Sequence, residues 1–267
     1  MFVDLHIHSY FSDGAQTPEQ AALACRDSGV GLAALCDHNS WLGCERFAAA
    51  CEDLGVQSIR GAEFDCRWQG YHLHILGYGF TPTPQLAAIA HRSRELLLQM
   101  SVDLIEKMAP EYPQLSVEEY RDYHYDPQKG GWAGLHYLQE KGVTQTLSEG
   151  MPLYARYGLD YTAYPFPQAA EVITAIREMG MEPIQWDVDS LDWKGISAAE
   201  ITDRVTKKVA PGSIVLFHNA GEHTPEALPG ILDHLLAQGY QIVPISEILL
   251  TGEYTIDHTG RQFAAWK

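Results

Sequence analysis

Asp4-Leu5-His6-Ile7-His8-Ser9-Tyr10-Phe11-Ser12-Asp13 is the stretch from which the rest of this chain is read. Phe2 to Ile7 has the apolar character of a short strand, and side chains along a strand alternate faces. Asp4, His6 and His8 therefore share one face, and Ser12-Asp13-Gly14 turns the chain. Two imidazoles near a strand end, with a carboxylate a few residues on, suit a divalent cation. Two surface histidines would be the plainer reading. Three such residues facing one way make the metal reading the stronger.

Working outward, similar residues recur at strand-like intervals. Gly31 to Cys36 is an apolar run ending in Asp37-His38, and Val56 to Ala62 is another ending in Glu63. Tyr71 to Gly77 carries His72 and His74 on one face. Any one of these would be an ordinary core or surface residue. Four consecutive strands ending in His, Asp or Glu argue for one site, because in a barrel of parallel strands the C-terminal strand ends converge on one mouth. Helices are predicted from Thr17 to Asp27, with Pro18 at the first position, and over Cys44 to Leu54, Pro84 to Met108 and Val117 to Tyr120.

The segments DLHIHSYFSDG, CDHNS, GAEF and HLHILGYGF carry a resemblance. From Met1 to about Gly180 the chain resembles a PHP domain (polymerase and histidinol phosphatase) of the stand-alone phosphoesterase type. That resemblance implies a seven-stranded β/α barrel and metal-assisted hydrolysis of phosphate esters. It puts His6, His8, Asp13, His38, Glu63 and His74 on the ligand positions of a multinuclear metal centre, with Asp37 beside one of them. Asp13 and His38 are thereby catalytic candidates. His74, rather than His72, precedes the Ile-Leu-Gly-Tyr that follows the family's ligand.

After Ile176-Arg177-Glu178-Met179-Gly180 the pattern changes. The family's Ala-His-Pro and Ser-Asp-x-His strands have no counterpart. The remainder resembles the C-terminal part of a NodB-type polysaccharide deacetylase, through Trp186 to Trp193, Pro211 to His218, Thr224 to Pro229 and Gly239 to Glu247. This second resemblance gives His218 the role of a catalytic acid, while Asp187 and Asp189, at the end of the expected fifth strand, join Asp37 and Asp192 as additional candidate residues of the mouth. The deacetylase's own metal motifs are missing before Trp186. The front of one family is joined to the back of another, and an engineered chimera is the leading explanation, ahead of a natural recombinant.

Four strands precede the seam (2–7, 32–37, 56–63 and 71–78) and three follow it (183–188, 213–218 and 241–245). Their sum restores the seven that both families use. The expected fold class is thus α/β, a single seven-stranded β/α barrel over residues 1–267, with a PHP-like part to about 180, a deacetylase-like part from 181 and a helical insert over about 84–165 between strands four and five. The seam lies between an amphipathic helix at 168–179 and a strand, with Gly180 placed as its C-cap glycine. The insert turns at Pro127 to Gly131 and, by the resemblance, covers the mouth. Some relatives have Arg-Pro-His where this chain has Gly131-Trp132-Ala133, so their phosphate and base contacts do not carry over. His124 and His136 read as solvent-facing polar residues.

Eighteen Lys and Arg stand against 35 Asp and Glu, a formal charge of -17. Such a surface repels phosphate backbones, which argues against a nucleic-acid polymer as partner. It does not forbid a small phosphorylated substrate, because bound dications reverse the local field. With 46% hydrophobic residues the chain can bury a full core. No apolar run of about 18 residues is present, so no membrane helix is expected. The chain enters a strand at once, so no signal peptide is expected. Cys25, Cys36, Cys44, Cys51 and Cys66 lack C-x-x-C spacing and read as reduced, mostly buried thiols of a cytoplasmic protein.

The leading expectation is a metal-dependent phosphoesterase using Mn, Fe or Zn, slowed by an incomplete ligand set. Carbohydrate deacetylation and a chimera without efficient catalysis are the alternatives.

Overall fold

Strand β1 (Phe2–Ile7) pairs in parallel with β2 (Val30–Leu35), and β2 in parallel with β3 (Gln57–Trp68). The crossovers are α1 (Pro18–Asp27) and α2 (Cys44–Leu54). Thr17 starts α1 in a reciprocal capping box with Gln20, and Pro18 supplies the fixed φ of a first turn. Gly55, at φ 72°, ends α2 in the left-handed conformation that glycine adopts without strain. Ala21, Ala22, Cys25, Phe47 and Cys51 of the two helices pack on Ala33 and Leu35 of β2.

These observations come from a computed structural model that describes residues 2–218, 221–257 and 261–264. The chain divides into two compact units, Met1–Pro183 and Ile184–Lys267.

Within the first unit β3 runs past Glu63 to Trp68 and returns as β4 (Tyr71–Tyr78), antiparallel to it. Gln69 and Gly70, at φ 48° and 82°, form the two-residue turn. Two successive positive φ values match the twist of a tight hairpin. The expected fourth parallel strand is therefore corrected to the return arm of a hairpin. Alternating Ala62, Phe64 and Cys66 face a core with Leu86, Ile89 and Ala90 of α3 (Pro84–Met108) and Val172, Ala175 and Ile176 of α7 (Ala169–Glu178). Glu63 and Asp65 occupy the opposite face by the same alternation.

The insert contains α4 (Val117–Arg121), α5 (Ala133–Glu140) and α6 (Leu147–Arg156), around a core that includes Leu104, Met108, Tyr137, Leu138 and Phe166. Gly180, at φ 74°, follows α7 in the position expected of it.

In the second unit β5 (Val188–Asp189) and β6 (Val215–Leu216) are two residues each and pair in parallel. Val188 packs with Ile201 and Val205 of α8 (Ala198–Lys208) and with Ala227, Ile231 and Leu235 of α9 (Thr224–Ala237). The expected strand over 241–245 is not one: Pro244 lacks an N–H donor and caps α10 (Ile245–Ile248), which contains Glu247. Trp186 and Ile242 are exposed. A short hairpin of β7 (Tyr254–Ile256) and β8 (Gln262–Ala264) follows.

Among the described residues the ladders form one four-stranded sheet, β1-β2-β3-β4, and two two-stranded ones. The architecture is α/β with a four-stranded half-barrel sheet, and the closed seven-stranded sheet is not among these ladders. All five cysteines are free and buried. No helix among the described residues is long and apolar enough to cross a membrane.

Candidate metal centre

Past Ile7 the chain folds back on itself so tightly that a Cβ on Gly14 would lie 2.3 Å from the His8 carbonyl oxygen. That approach, open only to glycine, sets Asp13 against His8, with Oδ1 2.7 Å from Nδ1. Asp37 holds this loop in place. Its buried carboxylate accepts the Ser9 N–H at 2.7 Å and the Ser9 and Ser12 hydroxyls at 2.7 and 2.6 Å. Both of its oxygens thus bond the turn that positions Asp13.

Glu63 lies at the centre. Its Oε2 is 3.0 Å from His6 Nε2, 3.1 Å from His8 Nε2 and 3.6 Å from His38 Nε2, while Oε1 meets His74 Nδ1. His38 Nε2 is also 3.9 Å from Asp13 Oδ2. The six residues expected to bind metal, His6, His8, Asp13, His38, Glu63 and His74, are thus brought together in the first unit. They form overlapping groups with Asp65: His6-His8-Glu63, His8-Asp13-His38 and His38-Asp65-His74, each with its donor atoms within 4.8 Å of one another.

Asp65 is the residue that sequence reading missed. It lies opposite His74 across the hairpin, with Oδ1 3.1 Å from His74 Nε2 and 3.0 Å from His72 Nε2. Asn39, in the left-handed region at φ 50°, accepts the Asp65 N–H through Oδ1 and donates to Asp65 Oδ2 through its amide nitrogen. His72 stacks on Tyr161, centroids 3.5 Å apart. The signal was present in the sequence, since Glu63 and Asp65 are two residues apart and share a strand face. Ending the strand at Glu63 concealed it.

The electrostatics describe a site organised around positive charge. Burial works against ionisation of Glu63, but hydrogen bonds from His6, His74 and His8 outweigh it and hold its pKa far below the usual range. Asp65 is likewise lowered against burial by His38, His72 and His74, and Asp13 by His8. Burial opposes charge on His8 and His74 as well, yet the facing carboxylates raise them to about 9 and about 10. Protons on imidazoles here occupy the electrostatic role that a cation would take. The donor set fits a divalent metal: imidazole nitrogens with hard carboxylate oxygens suit Mn, Fe or Zn. His38 Nδ1 is buried without a hydrogen-bond partner, 3.6 Å from Asp65 Oδ2. An orphaned ring nitrogen among carboxylates is what a ligand position leaves when no cation is counted.

The second unit has a different arrangement. His218 Nδ1 lies 2.7 Å from Oδ1 of buried Asp192, which also accepts the His218 N–H and, at 2.6 Å, the Thr224 hydroxyl. Asp187 accepts the Ser213 hydroxyl and the Ile214 N–H, and Asp189 accepts the Leu191 N–H. Asp187 thus ties the start of β5 to the segment before β6, and Asp189 holds its own turn. The three candidate metal groups found among the described residues all belong to the first unit. His136, expected at the surface, is buried, stacked on Tyr125 and 2.6 Å from the Gly130 carbonyl oxygen, whereas His124 is exposed.

Comparison with known proteins agrees with the first unit. The PHP domain model matches residues 4–178. A 5'-3' exoribonuclease of Haemophilus influenzae is 32% identical over 39% of this chain and 39% of its own length. A 3',5'-nucleoside bisphosphate phosphatase of Chromobacterium violaceum is 37% identical over 35% and 33%. The peptidoglycan-N-acetylglucosamine deacetylase PgdA of Listeria monocytogenes is 33% identical over 39% of this chain and 22% of its own. The chain therefore spans well under half the length of each of these relatives. A crystal structure from Bifidobacterium adolescentis, described as a metal-dependent phosphoesterase, superposes over 90% of this chain and 84% of its own with a TM-score of 0.59 at 20% identity, a likeness of fold. With the family model covering most of the chain and the histidine-carboxylate cluster lying inside it, this protein belongs to the PHP domain family.

Proposed function

We propose that the chain is a metal-dependent hydrolase of phosphate monoesters, small nucleotides included. One observation carries the reading: three histidine-carboxylate groups, overlapping at His8 and His38, lie together in the first unit, and each offers a donor set that would suit a divalent cation. The alternative sets are His6, His8 and Glu63, then His8, Asp13 and His38, then His38, Asp65 and His74, and because His8 and His38 recur, one or two of them would be filled at a time. A divalent cation bound there supplies polarisation of the phosphoryl group and a lowered water pKa.

The chain's own residues do the rest. Asn39 fixes Asp65 from both sides, which orients the ring nitrogens that face it. Arg94 on α3 donates to the Asn39 carbonyl and has no carboxylate partner among the described residues. Turnover is expected to be slow, because the family's strand-five His and strand-seven Asp and His have no counterpart in this sequence.

The exoribonuclease name of one relative raises the phosphodiester at the end of an RNA strand as a second substrate class. The formal charge of -17 argues against a long polymer, so a short oligonucleotide is the form to test. Deacetylation has one observation in its favour, the His218 ring oriented by buried Asp192, and lacks a metal group of its own among the described residues. A second unit of deacetylase origin is consistent with the match to PgdA.

The test is hydrolysis of an aryl phosphate with added Mn, compared with deacetylation of acetylated glycan. Phosphatase turnover lost in both Glu63→Ala and His74→Ala is the expected result. Turnover surviving both substitutions contradicts it.

A further inference from the structure

Trp132 is the aromatic group that the insert sets against the metal centre. Its ring centroid is 5.7 Å from that of His38, inclined at 54°. The segment before it is pinned on three sides. The Gly131 N–H donates to the Asp13 carbonyl at 2.7 Å, Tyr125 donates to the Gly131 carbonyl at 2.9 Å, and His136 Nε2 lies 2.6 Å from the Gly130 carbonyl oxygen. Gly130 and Gly131 have φ values of 69° and 73°, so a side chain at either would strain the turn. Trp132 then caps α5, which Gly134 seats closely against Ser101 and Tyr154.

A second aromatic of the insert, Tyr161, is already stacked face to face on His72 at 3.5 Å and 8°. Trp132 has no such partner: its one ring contact is the tilted one with His38, and its indole N–H makes no hydrogen bond among the described residues. The side chain is only partly buried. A half-open indole whose backbone is pinned beside His38 offers a free ring face at a fixed distance from the site, which lowers the ordering cost when a ring settles on it.

We propose that Trp132 is a specificity-determining residue that stacks a flat ring in the non-phosphate part of the substrate, such as a nucleobase. The inference rests on the phosphoesterase reading and adds to it which esters are preferred. Base-aromatic stacking is sequence-tolerant and substantial, so the effect falls on substrate binding and favours no particular base.

The experiment compares a nucleoside 5'-monophosphate with ribose 5-phosphate, which share the leaving oxygen and differ in the ring. With Mn added, Trp132→Ala is expected to raise KM for the nucleotide about tenfold or more, with kcat and the ribose 5-phosphate kinetics within about twofold of the parent. Trp132→Phe restores most of the difference. Separately, in chelator, where no turnover interferes, the nucleotide quenches indole emission in the parent protein and does not in Trp132→Phe. Equal losses on both substrates, or an unchanged ratio together with no Trp132-dependent quenching, overturn the stacking role. Absence of turnover on either substrate overturns the phosphoesterase reading instead, and the quenching measurement then decides the stacking role alone.

Discussion

The two units use the same pair of residue types to opposite ends. In the first, each carboxylate serves several imidazoles: Glu63 faces His6, His8, His38 and His74, and Asp65 faces His38, His72 and His74. In the second, Asp192 serves one imidazole and completes its coordination with a backbone N–H and the Thr224 hydroxyl. Shared carboxylates with an orphaned ring nitrogen call for cations. A fully satisfied carboxylate orients one ring and calls for none. The strands differ in parallel: β3 has neighbours on both sides and runs for twelve residues, whereas β5 and β6, among the described residues, pair with each other alone and run for two.

The largest effect that would break this contrast is at Glu63. Glu63→Ala is expected to abolish bound metal, while Asp192→Asn leaves metal content unchanged; elemental analysis of both variants reads the difference directly. An intermediate effect is expected at Asn39. Asn39→Gly keeps the positive φ and removes the amide that orients Asp65, so metal affinity should fall about 10–100-fold by titration.

Core truncation sharpens the structural half of the comparison. Phe64 is 1% exposed between the sheet and α3, and Phe64→Ala should destabilise the first unit by about 3–5 kcal/mol in denaturant unfolding. Ile242 is 55% exposed, so Ile242→Ala should change stability by less than about 0.5 kcal/mol. A large loss at Ile242 would mean that the segment after α9 packs more tightly than its exposure indicates.

The smallest effect concerns acid. Burial works against ionisation of Asp192, but Thr224 and the His218 N–H and ring lower its pKa below the ordinary carboxylate value. A lowered folded-state pKa contributes stability that is present above the unfolded value and lost as pH falls through the folded one. Hydrogen exchange at the β5 and β6 amides should therefore accelerate as pH drops below the usual carboxylate range, after correction for intrinsic rates. Asp192→Asn should flatten that dependence.

Much of the first unit was legible because strand alternation is a strong signal. His6 and His8 two residues apart, and Gly14 after Asp13, already describe one face and one tight return. The hairpin was not legible, because Gln69-Gly70 lacks the Asn or Asp that marks a two-residue turn, and placing the strand end at Glu63 removed Asp65 from view. His136 was misread because its polarity was weighed and its position, between Leu135 and Tyr137 on a buried helix face, was not. In the second unit the apolar runs at 183–188 and 241–245 looked like strands, but a strand is made by its neighbours, and Pro244 starts a helical turn within the last of them.

The central claim is that the first unit's cluster holds metal and the second unit's dyad does not. Elemental analysis of protein purified without chelator tests it most directly. The account predicts divalent metal at about one or two positions per chain, lost in the His6→Ala, His8→Ala double variant and retained in His218→Ala. Metal-free protein, or metal that persists without His6 and His8, would contradict it.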